Sequence, residues 1–354
     1  MLKRIYYALI KKFITKPIYL IHFITNKCNL KCAHCFYSKE INIKGKEDLS
    51  LKEIKKFSKQ LGELVWLSFS GGEPFMRPDI DQIYKIYLRN NKVKIFNCPT
   101  NGMLTDIIVK KTEEMLKLGG PKNFSINLSL DGLENTHNTI RDLSCFNNVL
   151  KTYDGLVKLR EKYPWLLIKL NTVITNKNLH EIEKLHFFVK KRMPEINFHS
   201  FDIIRGTPKD SNVKTPTIEE LNKLKSLLYK IWNSYSFYGK KSFESKIANN
   251  TTKILFETCI NILKTNKQPF PCYAGKVHCV LDNNGDISLC ELLPKIGNIK
   301  SKSFIEVWDS KVAKKQKQSI KNKSCTCTHL CFQNTNFMFR LRNWPKMLFS
   351  KIKP

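Results

Sequence analysis

Cys28, Cys32 and Cys35 stand with three and two residues between them, directly after the apolar run from Ile18 to Ile24. Thiolates at this spacing can hold three corners of one small iron–sulfur cluster. The fourth corner is left open to bind and transform a ligand. Structural zinc usually takes four ligands as two separated pairs, and the nearest extra donor, His34, would crowd the same short turn. Twelve cysteines and no cleavable signal argue for a reducing, cytoplasmic setting and for metal work rather than disulfides.

Two further stretches carry chemistry. Gly71-Gly72-Glu73-Pro74 follows the strand-like run Val65 to Phe69. Paired glycines let backbone approach a ligand closely and expose peptide groups to a zwitterion. Ser129-Leu130-Asp131-Gly132 closes another apolar run and is followed by His137 and Arg141.

In their order and spacing, these three motifs resemble the radical S-adenosylmethionine (SAM) enzymes. The resemblance implies a [4Fe–4S] cluster on Cys28, Cys32 and Cys35, with SAM chelating the open iron. It places Gly71, Gly72, Glu73 and Pro74 at the amino group of SAM, and Ser129 and Arg141 in contact with SAM. His34, Asp131 and the backbone at Ile204 are assigned to the same cofactor. Reductive cleavage of SAM would give a 5′-deoxyadenosyl radical that abstracts hydrogen from a substrate, with electrons from an external one-electron donor. The substrate is left open between a peptide or protein, a small molecule and a membrane-associated one.

Six cysteines lie in the last third of the chain: Cys272, Cys279, Cys290, Cys325, Cys327 and Cys331. Gly285 stands four residues before Cys290, and Ile296-Gly297-Asn298-Ile299 and Trp308 follow. This stretch resembles the SPASM/twitch domains that carry auxiliary iron–sulfur clusters. It implies at least one auxiliary [4Fe–4S] cluster on Cys272, Cys279 and Cys290, with Cys331 as fourth ligand. Cys325 and Cys327 would be the remnant of a second. A zinc knuckle uses the same ligands and stays open here. Sulfatase-maturing relatives keep an acidic proton acceptor near Cys290, so Glu291 is the candidate for that role. Cys98, Cys145 and Cys259 read as small buried hydrophobes.

Apolar runs near 18–24, 65–70, 93–98, 124–130, 167–174 and 197–204 alternate with helical stretches. Near-continuous apolar strands separated by helices predict a parallel sheet, here a partial (β/α)6 TIM-type barrel with its site at the carboxyl ends of the strands. The expected divisions are a basic amphipathic extension (1–17), the barrel (18–215), a helical bridge (216–270), the auxiliary-cluster domain (271–335) and a basic aromatic tail (336–354).

Lys and Arg number 61 against 30 Asp and Glu, a net charge of +31. Such a field favours anionic partners, but no recognised nucleic-acid motif accompanies it. The basic, aromatic ends suit either peripheral membrane contact or docking on the protein itself. Two rivals remain at this stage: a non-catalytic iron–sulfur electron carrier, and a zinc-stapled nucleic-acid-binding protein.

Overall fold

The computed structural model describes residues 14–236 and 243–349. Strands β1 (Tyr19–Thr25), β2 (Trp66–Gly71), β3 (Ile95–Thr100), β4 (Asn123–Ser129), β5 (Leu166–Ile174) and β6 (Phe198–Ile203) alternate with helices. The helices are α1 (Leu51–Ser58), α2 (Ile80–Asn91), α3 (Thr105–Lys117), α4 (Glu134–Arg141), α5 (Phe146–Lys162) and α6 (Ile182–Arg192). All six strands pair in parallel, neighbour to neighbour. One large core of strand and helix residues runs along the sheet. The connection after β6 passes through α7 (Ile218–Asn233), which opens on a capping box between Thr217 and Glu220, and α8 (Phe243–Thr265).

The sheet is open rather than a closed barrel. Its order is β6-β5-β4-β3-β2-β1-β7-β8-β9, with β7 (His278–Leu281), β8 (Asp286–Ser288) and β9 (Gly297–Asn298) supplied by the cysteine-rich segment. β7 lies parallel to β1, with Leu20 opposite Cys279. β1 is therefore an interior strand, buried at all seven positions. The last helices are α9 (Phe304–Trp308), α10 (Lys311–Lys321), α11 (Leu330–Met338) and α12 (Trp344–Phe349).

The carboxyl-terminal tail docks on the protein. Phe337 is buried with Ile247 and Leu255 of α8, and Met338 and Trp344 pack against the same cluster. Residues 1–13 of the expected amino-terminal extension (1–17) and 350–354 of the expected tail (336–354) lie outside the described residues. Among the described residues, no helix is long and apolar enough to cross a membrane.

Burial makes the fold acid-sensitive. It pushes His22, His137, His199 and His278 down to about 3, and His34 to about 4. Each is neutral when folded but takes a proton near pH 6.5 when unfolded. The stability they contribute is full above that pH and drains as pH falls toward their folded values. Each proton is worth about 1.4 kcal/mol per pH unit in that window. Urea midpoints of the metal-free protein are expected to drop steeply between pH 6.5 and 5. A flat profile there would contradict the neutral burial of these rings.

Candidate active site

A cavity of about 580 Å³ opens at the carboxyl ends of the strands. It is lined by Cys28, Cys32, His34 and Cys35 after β1, by Ser70 to Pro74 at the end of β2, and by Thr100 and Asn101 at the end of β3. Ser129, Asn171, Ile204 and Arg205 contribute from β4, β5 and β6. An open α/β sheet gathers ligands at this position.

Local hydrogen bonds hold the thiol loop. The Cys28 amide donates to Asn42 Oδ1 at 3.0 Å, and Asn42 Nδ2 donates back to the Cys28 carbonyl at 2.9 Å. The Ala33 amide donates to the Ile140 carbonyl of α4 at 2.8 Å. Burial raises the Cys28 thiol to about 12 and the Cys35 thiol to about 11, so metal loading must displace protons.

The glycine pair is built into this loop. The Gly72 amide donates to the Thr25 carbonyl at 2.9 Å, and the Glu73 amide to the Lys27 carbonyl at 2.8 Å. A Cβ on Gly72 would lie 2.1 Å from the Lys27 carbonyl oxygen, and one on Gly71 2.2 Å from that of Thr25. Glu73 is a bracket between strand ends. Its carboxylate accepts from Thr100 Oγ1 at 2.8 Å, the Phe75 amide at 3.2 Å and the Asn101 amide at 2.7 Å. Burial nevertheless raises it to about 7. Thr100 and Asn101 had no part in the sequence reading, although the Pro99-Thr100-Asn101-Gly102 turn at a strand end was the signal available.

A buried charge network lies beside the loop. Arg141 Nη2 is 2.5 Å from Asp131 Oδ2, while its Nη1 donates to Cys32 Sγ at 3.6 Å. Asp131 Oδ1 also accepts from the Val173 amide at 2.9 Å. Burial alone would raise Asp131, but Arg141 and then His34 outweigh it and hold the carboxylate below its usual range. Asp131 is not itself a lining residue; it orients Arg141. His137 Nδ1 accepts from the Asp131 amide at 3.1 Å, and its Nε2 lies 3.3 Å from Cys145 Sγ. Among the described residues, the buried Nδ1 of His34 and Nε of Arg141 have no hydrogen-bond partner, leaving polar capacity at the cavity for a bound group.

Electrostatic contacts link some of the later cysteines directly. Cys272 has Cys325 and Cys327 as electrostatic neighbours, and Cys290 has Cys327 and Cys272. Cys279 stands apart. It is an interior residue of β7 at 0% exposure, with Lys317 as a charged neighbour. Cys331 lies beside the Tyr19 hydroxyl, Glu291, Arg205 and Asp202. Glu291 is not a free base. Its Oε2 accepts from Arg205 Nη2 at 3.2 Å and lies 2.6 Å from His329 Nε2. Burial would raise it, but His329 and Arg205 outweigh this and bring it down to about 2. Among the described residues, no three His, Cys, Asp or Glu side chains converge tightly enough to share one metal ion.

The separation of Cys279 has a measurable consequence. Cys279→Ala is expected to leave iron per chain unchanged and to cost about 1 kcal/mol for lost packing. Iron analysis of the anaerobically loaded variant checks this, and a loss of iron would restore Cys279 to the ligand set.

Comparison with known proteins bears on the same two regions. The family model described as the radical SAM superfamily matches residues 23–189. A second, SPASM, described as an iron–sulfur cluster-binding domain, matches 272–332. A cysteine-type anaerobic sulfatase-maturating enzyme of Clostridium novyi (strain NT) is 26% identical, over 88% of this chain and 86% of its own. An AdoMet-dependent heme synthase of Methanosarcina barkeri (strain Fusaro / DSM 804) is 25% identical, over 81% and 80%. Among solved structures, Streptococcus suis SuiB bound to S-adenosylmethionine superposes with a TM-score of 0.60 at 18% identity, covering 89% of this chain and 71% of that one. The enzyme anSMEcpe with AdoMet and a bound peptide gives 0.55 at 18%, covering 84% and 81%. At these identities the two structures speak for the fold.

Proposed function

Because the chain belongs to the radical SAM superfamily and carries an iron–sulfur SPASM domain, we propose that it cleaves SAM reductively and abstracts hydrogen from a substrate held at the carboxyl ends of β1 to β6. The observation that carries this reading is the convergence of three thiols, the glycine turn and Arg141 on one cavity.

Cys28, Cys32 and Cys35 are suited to hold a [4Fe–4S] cluster, since they are three soft donors on one loop beside a cavity roomy enough for a nucleoside-sized ligand. When bound, cluster and SAM together supply a 5′-deoxyadenosyl radical that takes a hydrogen atom from the substrate. The chain's own residues position that chemistry. Gly71 and Gly72 bring backbone against the ligand, and Glu73 fixes the turn by bracketing β2 to β3. Ser129 and Ile204 line the wall, and Arg141 donates toward Cys32 while anchored on Asp131, with His34 beside it. The mutual electrostatic contacts of Cys272, Cys290, Cys325 and Cys327 support assigning one auxiliary cluster to these thiols.

The substrate is a peptide or protein side chain, or a small molecule. Relatives of both kinds support this, including the sulfatase-maturating enzyme and GTP 3′,8-cyclases. Anaerobic reconstitution followed by dithionite and SAM tests the proposal. 5′-Deoxyadenosine should form, and SAM should change the EPR spectrum of the reduced protein. An iron-loaded protein that neither binds nor cleaves SAM would be an electron carrier instead.

A further inference from the structure

Arg205 links both thiol regions to the cavity. It lines the cavity itself, and its guanidinium carbon lies 4.6 Å over the ring of Phe36, the residue after Cys35. Its Nη2 reaches Glu291, the residue after Cys290. Glu291 in turn touches His329, which lies between Cys327 and Cys331 in sequence. Gly206 packs the junction, because a Cβ there would meet Phe36 Cβ at 3.0 Å and Leu292 Cδ2 at 3.3 Å. The Glu291 and His329 side chains are 5% and 1% exposed, so this contact is screened from water. Asp202 is a second carboxylate neighbour of Arg205, and among the described residues Arg205 Nε has no hydrogen-bond partner.

A half-buried cation in a cavity wall repels a cationic ligand, because its side chain, 21% exposed, is only partly screened by water. SAM carries its positive charge on the sulfonium that must sit near the open iron. We propose that Glu291, supplied by the cysteine-rich segment and backed by His329, is the counter-ion that neutralises Arg205 so that the cavity accepts the sulfonium. The carboxyl-terminal segment thereby sets the affinity for the cofactor bound at the amino-terminal thiols. This inference rests on the function proposed above, and it gives Glu291 a positioning role in place of proton acceptance.

The test is SAM affinity of the iron-loaded holoenzyme, measured by anaerobic equilibrium dialysis. Glu291→Gln keeps the shape and removes the charge, so SAM should bind about tenfold more weakly or worse. The double variant Glu291→Gln with Arg205→Gln removes both charges and should recover most of that loss. A proton acceptor would behave differently: Glu291→Gln would stop turnover while SAM bound as in wild type, and no second substitution would rescue it. Glu291→Gln binding as tightly as wild type, or a double variant no better than the single, overturns the inference. If Glu291→Gln fails to load iron, Glu291→Asp against Glu291→Asn repeats the comparison at one shorter length. Asp should bind SAM more tightly, and equal affinities overturn the inference. Failure of the wild-type holoenzyme to bind SAM would sink the proposed function instead.

Discussion

Replacing Cys28, Cys32 or Cys35 with alanine is expected to lower 5′-deoxyadenosine formation by more than about a thousandfold while leaving the fold intact. A three-thiol set has no redundancy, since losing one corner leaves two protein ligands and a second open iron. Apart from the Arg141 contact with Cys32 Sγ, the hydrogen bonds named for the loop do not use the sulfurs. The loop is pinned through the Asn42 pair to Cys28 and the Ala33 amide to Ile140, none of which involves a thiol. Circular dichroism and melting of the metal-free variants should therefore match wild type closely. Product formation by liquid chromatography is the deciding measurement, and a variant that still cleaves SAM at a tenth of the normal rate would remove the trio from the reaction.

Gly72→Ala is expected to weaken SAM binding at least about a hundredfold, the scale on which an ångström of misplacement acts in a preorganised site. The methyl group would sit 2.1 Å from the Lys27 carbonyl oxygen and 2.6 Å from its carbon, both backbone atoms that no rotamer change can move aside. The turn and the segment leading into Cys28 must separate, which breaks the hydrogen bonds that the Gly72 amide donates to Thr25 and the Glu73 amide to Lys27. Gly62→Ala is the matched control, because a Cβ there meets nothing within 4 Å. Equal SAM affinity in the two variants would show that the turn tolerates displacement.

Much of the site was legible because its parts are contiguous in sequence. The cysteine loop, the Gly71–Pro74 turn and the Ser129–Gly132 stretch each sit at the end of an apolar run, and β1 to β6 fall close to those runs. What escaped lacks such a signature. Helix α4 is polar throughout except Ile140, so no apolar period announces it, yet it places Arg141 beside Cys32. The run His-Cys-Val-Leu that forms β7 reads as a cysteine first and a strand second. Spacing along the chain thus paired Cys279 with Cys272, whereas strand pairing turns it into the core. Arg205 belongs to no motif; only the approach of Glu291 and Phe36 from distant segments gives it meaning.

The insertion of β7 beside β1 also orders events during synthesis. The second strand-pairing partner of β1 is encoded near the opposite end of the polypeptide. Until the ribosome delivers it, one flank of a strand that ends up wholly buried stays open to water and to other nascent chains, the hazard of any unguarded edge. The metal-binding segment therefore doubles as the closing stitch of the molecule, and maturation cannot finish from the amino-terminal half alone.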